Sequence, residues 1–131
     1  MSITVCVAKL HCVHVTAAKL HYAGSITIDP VLMEAALILP FQLVHINNKA
    51  NSVHWETYAI PGVRGLGEIC LNGCPARLFQ PGDQVIVLSL EQMTRKKAAK
   101  LEQKVIYVDE NNKLVRIEVK KAGHVNSALP V

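Results

Sequence analysis

The sequence predicts a mainly β domain, and three observations carry that prediction. Half of the 131 residues are hydrophobic but only 5% are aromatic, and Val, Ile and Leu dominate the apolar set, a composition that suits pleated, half-buried surfaces. Short apolar runs are punctuated by turn chemistry at Asn47-Asn48, Pro61-Gly62, Asn72-Gly73 and Pro81-Gly82-Asp83. The length is that of one domain, residues 1–131, large enough for a real core. Many short strands with few helices suit a small closed barrel, because closure removes exposed strand edges.

Taken in order, residues 3–15 read as a β-branched strand. Side chains two apart share a face, so Val5, Val7, Lys9, His11 and Val13 are expected to line one side. A lysine buried on such a face needs a partner or an anionic ligand. Residues 25–28 read as a second, short strand. Asp29-Pro30 then opens a helix over residues 31–37, since Asp caps a first turn and Pro fits its first position. Pro40 closes it by disfavouring helical geometry in the residue before it.

Residues 41–47 and 53–60 are expected to pair as strands across the polar turn 47–52. Gly65 and Gly67 predict a flexible loop, followed by residues 68–71 and an Asn72-Gly73 turn. Residues 84–90 read as a strand deep in the core. The stretch 91–104 is the one sizeable helix candidate. Residues 104–108 and 113–119 form a late hairpin across Asp109-Glu110-Asn111-Asn112, and from Lys120 the tail is expected to be loose.

Composition narrows the function classes. No apolar run is long enough to span a bilayer, and the N-terminus lacks the pattern of a secretory signal, so the cytoplasm is the expected location. Four cysteines (Cys6, Cys12, Cys70, Cys74) are expected to stay reduced. Their spacings, with His11 and His14 beside Cys12, make only a weak zinc pattern, and no metal is expected. Nine of the fourteen basic residues lie after position 90, from Arg95 to Lys121. Glu91, Glu102, Asp109, Glu110 and Glu118 interrupt this run, and aromatic residues are sparse. It therefore reads as a solvated face and not as a nucleic-acid footprint.

The chemistry centres on Gly24-Ser25, preceded by Leu20-His21-Tyr22-Ala23. Gly tolerates a positive φ and leaves its carbonyl unshielded. The hydroxyl of the next residue can attack that carbonyl through a five-membered ring that opens to an ester. β-Elimination from the ester cuts the chain and leaves dehydroalanine, which hydrolyses to a pyruvoyl group. An isolated Gly-Ser is also an ordinary turn pair, so context has to decide.

The context is a set of blocks in order: Lys9-Leu10-His11, Val15-Thr16, Leu20-His21-Tyr22, Gly24-Ser25-Ile26-Thr27-Ile28-Asp29, Leu32-Met33-Glu34-Ala35-Ala36, Thr57-Tyr58-Ala59-Ile60 and Asn72-Gly73. Together they resemble the pyruvoyl-dependent aspartate 1-decarboxylases over roughly the first 90 residues. The resemblance implies a six-stranded double-psi β-barrel with small helices. It also implies a homotetramer with sites at subunit interfaces, and self-cleavage into residues 1–24 and 25–131.

It further implies conversion of L-aspartate to β-alanine and CO2 for the pantothenate and coenzyme A route, on a pyruvoyl group made from Ser25 with no external cofactor. Tyr58 would return the proton to the carbanion. Thr57 would donate to the Gly24 carbonyl during cleavage. Lys9, His54, Thr57, Asn72, Gly73 and Tyr22 would contact the substrate, with His11 and Cys74 as further candidates. Each has an ordinary counterpart: a core tyrosine, a β-forming threonine, a turn asparagine, a salt-bridged lysine, a satisfied core histidine.

Two departures stand out. The family usually has arginine where His54 stands, and imidazole cannot reproduce the bidentate grip of guanidinium on a carboxylate. Arg64 could replace it only if its loop folds inward. Small residues follow Asn-Gly in the family, but here Cys74-Pro75 follow, and Pro75 brings no N–H. The rivals are a decarboxylase of another acidic or related amino acid, and a non-catalytic barrel whose basic C-terminal region binds a partner or nucleic acid. Whether cleavage needs a maturation factor is not written in the sequence.

Overall fold

The computed structural model describes residues 1–123. Nine strands form one hydrogen-bonded order: β1 (Ser2–His14), β2 (Ala17–Lys19), β3 (Ser25–Ile28), β4 (Leu43–Asn48), β5 (His54–Pro61), β6 (Ile69–Asn72), β7 (Gln84–Thr94), β8 (Glu102–Val108) and β9 (Leu114–Lys121). Their order is β2-β6-β3-β5-β4-β7-β1-β8-β9. The pairs β1–β8, β2–β6 and β3–β5 are parallel, and the rest are antiparallel. This mainly β chain with interleaved parallel and antiparallel pairs is consistent with a double-psi β-barrel. The core is aliphatic, with Leu10, Ile26, Ile28, Ile46, Leu71 and Phe79 among its fully buried side chains.

Helix α1 (Pro30–Ala35) starts as its sequence predicts. The Asp29 carboxylate accepts the Val31 N–H at 2.9 Å, and Pro30 occupies the first turn. Asp29 does more than cap, because it also accepts from Gly65 N at 3.1 Å and Gly67 N at 2.7 Å. The glycine loop is therefore pinned, where flexibility was expected. Buried Asn112 ties the same region together, donating to the carbonyls of His14 and Gly67 at 2.8 Å each.

Three expectations are corrected. The stretch 91–104 is not a helix: β7 runs on to Thr94 because its partner β1 continues pairing as far as Ser2↔Thr94. Only a single turn, α2 (Arg95–Ala98), follows before β8. Ladder hydrogen bonds to a long neighbour outweigh the modest helix propensity of these residues. The tail expected to be loose from Lys120 is paired through Lys121 in β9, while residues 124–131 lie outside the described residues.

The single apolar face expected for β1 does not exist either. Register shifts between Cys6 and Ala8 and between Leu10 and Val13 interrupt the strand, with Cys12 at φ 56°. Each bulge switches the side chains to the opposite face. Ala8 and Leu10 are buried, and Lys9 and His11 turn outward as half-buried residues.

Candidate active site

Strand β3 places Ser25 in antiparallel register with Asn72 on β6. The serine is 1% exposed although Gly24 before it is open to solvent. Its hydroxyl donates to the Ala23 carbonyl at 3.1 Å and accepts from Asn72 Nδ2 at 3.0 Å. The Asn72 amide is itself fixed, since Nδ2 also donates to Thr27 Oγ1 at 2.9 Å and Oδ1 accepts from Cys70 Sγ at 3.3 Å. Burial pushes the Cys70 thiol above its ordinary value, against the lowering effect of Lys19 and with a smaller push from Glu68. The thiol thus keeps the proton it donates.

Thr27 and Cys70 did not emerge as site residues from the sequence. Residues 25 and 27, and 70 and 72, alternate onto one face of adjacent strands, a signal readable only once β3 and β6 are known to pair.

The positive φ expected at Gly24 belongs instead to Gly73, at φ 82°. A side chain at Gly24 would meet nothing within 4 Å, because the bend there is open. A Cβ on Gly73 would lie 2.9 Å from Gly24 Cα, 3.1 Å from Gly24 N and 3.1 Å from the Tyr22 carbonyl. Gly73 therefore permits the close approach of the β6 end to the Gly24-Ser25 bond, while its own N–H donates to the Lys19 carbonyl at 2.8 Å.

Strand β5 runs parallel to β3 with Ile26 beside Ala59. The ladder begins at that pair, so Tyr58 and Ser25 each precede it by one residue and Thr57 and Gly24 by two. Tyr58 is 36% exposed, with its ring 6.0 Å from that of Phe41. Among the described residues the Thr57 side chain forms no hydrogen bond, and Tyr22 stands exposed before the bend. Cys74 is exposed and opens a 3₁₀ turn over Cys74–Arg77. Pro75 sits in the first turn, where an N–H has no intrahelical partner, so it removes no hydrogen bond from that turn.

Lys9 and His11 are not brought to Ser25 by strand pairing, since β1 stands four places from β3 in the sheet order. Among the described residues Lys9 forms no ion pair. His11 lies against Tyr107, ring centres 5.3 Å apart, and its buried Nδ1 has no partner among the described residues. Burial first, then the charges of Lys9, Lys49 and Lys120, lower its pKa and favour the neutral ring. His54 is exposed on β5, held by Asn47 and Glu56. Arg64 pairs with the exposed carboxylate of Glu34, so it does not fold inward. In the basic C-terminal region, Arg116 and Lys120 flank Glu118, and Arg116 lies 3.8 Å over the Tyr107 ring.

The weak zinc pattern around Cys12, Cys70 and Cys74 does not assemble among the described residues, where the one group of close ligand atoms is His45, His54 and Glu56. Among these residues no helix is long and apolar enough to cross a membrane.

A buried serine hydroxyl directly after an exposed glycine, held by an asparagine amide, defines the class: a mainly β chain with its candidate site at one Gly-Ser bond. The chain belongs to the aspartate decarboxylase family, whose family model, described as Aspartate decarboxylase, matches residues 1–115. It is 47% identical to the aspartate 1-decarboxylase of Carboxydothermus hydrogenoformans over 121 residues, covering 92% of this chain and 95% of that one. It is 48% identical to that of Pelotomaculum thermopropionicum over 117 residues, 89% of each chain. Against that of Ruminiclostridium cellulolyticum it is 46% identical over 116 residues, 88% of this chain and 91% of the other.

Proposed function

We propose that this chain cleaves itself between Gly24 and Ser25 and decarboxylates L-aspartate to β-alanine and CO2, the step that feeds pantothenate and coenzyme A synthesis. Family membership supports the reaction. The observation that carries the site is the Asn72 amide donating to the buried Ser25 hydroxyl, 3.0 Å away, beside the Gly24 carbonyl.

In the cleavage, Ser25 Oγ bonds to the Gly24 carbonyl carbon as the Gly24–Ser25 C–N bond breaks, and the hydroxyl proton passes to the freed nitrogen. The Asn72 N–H stabilises negative charge on Oγ as that proton leaves, and Thr57 donates to the carbonyl oxygen. Elimination then releases Gly24 as a free carboxylate, ending the chain 1–24. The new terminus of residues 25–131 loses ammonia to water and becomes the pyruvoyl group.

That group supplies a carbonyl that takes the substrate amine and draws in electrons as CO2 leaves. Tyr58, open to solvent on β5, delivers the proton that replaces CO2. Tyr22 and Gly73 shape the approach, and Cys74 borders it. Lys9 carries a positive charge for a substrate carboxylate. Strand pairing does not join Lys9 and His11 to Ser25, and in a homotetramer with sites at subunit interfaces a neighbouring copy supplies them. His54 meets a substrate only by releasing Glu56.

Intact-mass analysis tests the reading. The purified protein should give two chains, residues 1–24 and 25–131, with a blocked N-terminus on the larger, and should release CO2 from aspartate. Ser25→Ala should give one uncut, folded, inactive chain. Continued cleavage in that variant would refute the mechanism. An uncut but competent wild type that cuts on addition of cell extract would reveal a maturation factor.

A further inference from the structure

The hairpin β4–β5 carries a second group of side chains. Its antiparallel register sets His45 opposite Glu56 and Asn47 opposite His54. Positions 45 and 47, and 54 and 56, are two apart, so all four side chains stand on one face as a cross-strand square. One ligand atom each from His45, His54 and Glu56 lies within 4.8 Å of the others. His54 Nε2 is 2.9 Å from Glu56 Oε2, and His45 Nε2 is 3.5 Å from Glu56 Oε1. A tetrahedral zinc ion with bonds of about 2.0–2.1 Å sets its ligand atoms roughly 3.3 Å apart, which this spread accommodates with small side-chain shifts.

The hydrogen bonding adds a second argument. His54 Nδ1 lies 2.8 Å from Asn47 Oδ1 and Nε2 lies 2.9 Å from Glu56 Oε2, so the ring is already held with its second nitrogen facing the carboxylate.

The Asn47 contact is of the kind that would orient a metal-bound imidazole. Two imidazoles and a carboxylate, with no thiolate, suit a borderline divalent ion such as Zn2+ and leave a coordination position open. His54 and Glu56 are 48% and 47% exposed, so an ion can reach them from solvent.

We propose that His45, His54 and Glu56 bind a divalent transition-metal ion of the Zn2+ class through His45 Nε2, His54 Nε2 and the Glu56 carboxylate, with Asn47 orienting His54. The ion sits between His45, His54 and Glu56 and joins the two strands. The inference rests on the hairpin geometry and is independent of the decarboxylase reading.

The test is a calorimetric titration of the purified full chain, stripped of metal, with Zn2+ alone, repeated with Co2+ while visible absorption is followed. One ion per chain is expected, with d–d bands on Co2+ binding. His54→Gln and Glu56→Gln should each weaken binding at least tenfold. Asn47→Ala, which removes no ligand, should weaken it about ten- to a hundred-fold. Because Asn47→Ala leaves all three ligands in place, it decides the matter even if a ligand variant folds poorly. Absence of one-to-one binding, or binding that survives in the His45→Gln/His54→Gln variant, would overturn the proposal. Since no turnover is measured, the result is separate from whether the chain decarboxylates aspartate.

Discussion

Replacing Gly73 by alanine should impair self-cleavage more than any other single-methyl addition to this chain. Gly73 sits at φ 82° and ψ −143°, in a region close to the one that only glycine occupies without strain, which costs a side-chain-bearing residue about 1–3 kcal/mol. The added Cβ would also lie 2.9 Å from Gly24 Cα, and relieving such overpacking costs roughly 1–3 kcal/mol more. The neighbour that must move is backbone and belongs to Gly24, on the acyl side of the bond proposed to break. Displacing a reacting group by about 1 Å can cost on the order of a hundred-fold in rate.

Gly82→Ala separates the two effects, because Gly82 has φ 94° but a Cβ added there would meet nothing within 4 Å. It should show the strain alone, with normal cleavage. The assay is the time course of appearance of residues 25–131 on a denaturing gel, paired with thermal melting, at about 4 °C per kcal/mol for a domain of this size. Gly73→Ala should cleave about a hundred-fold more slowly and melt lower than Gly82→Ala. If Gly73→Ala cleaves at the wild-type rate, the packing of β6 on Gly24 has no role in cleavage.

Two further outcomes follow from the same geometry. Tyr58→Phe should cleave normally but lose about a hundred-fold or more in kcat, since general-acid groups contribute on that scale; unchanged turnover would place the proton donor elsewhere. Asp29→Asn should destabilise the fold by about 1–3 kcal/mol, because a neutral amide cannot satisfy the N–H groups of Val31, Gly65 and Gly67 together. Burial alone would push the Asp29 carboxyl up, but those donors and the Lys113 charge outweigh it and hold it below its ordinary value. A depressed carboxylate gives stability that is present above its unfolded pKa and lost as pH falls through the folded one. Acid denaturation curves taken downward from pH 5 should therefore be shallower for Asp29→Asn, and superimposable curves would remove Asp29 from this role.

Local chemistry was legible wherever neighbours in sequence are neighbours in space. Asp29-Pro30 announced α1, the alternating run 25–28 announced β3, and the late hairpin was placed by Asp109-Asn112 between two β-branched runs. The proposed nucleophile was named from sequence too, because the ring that Ser25 would close on the Gly24 carbonyl lies within two residues. Family resemblance singled out Tyr58, Asn72 and Gly73, of which Asn72 and Gly73 meet Ser25 and Gly24, although nothing local distinguishes them from strand and turn residues.

Only the tertiary structure decided the rest, since each remaining feature depends on a partner strand distant in sequence. The two bulges of β1 arise in its pairing with β7, and they alone turn Lys9 and His11 away from the core. Pairing with β1 likewise holds residues 91–94 extended where composition suggested a helix. The clamp of Thr27 and Cys70 on Asn72 needs β3 beside β6, and the square of His45, Asn47, His54 and Glu56 needs the register of β4 on β5. Side-chain alternation is a property of one strand and can be read along it, but register is a property of two, set by hydrogen bonds and burial that no single segment contains.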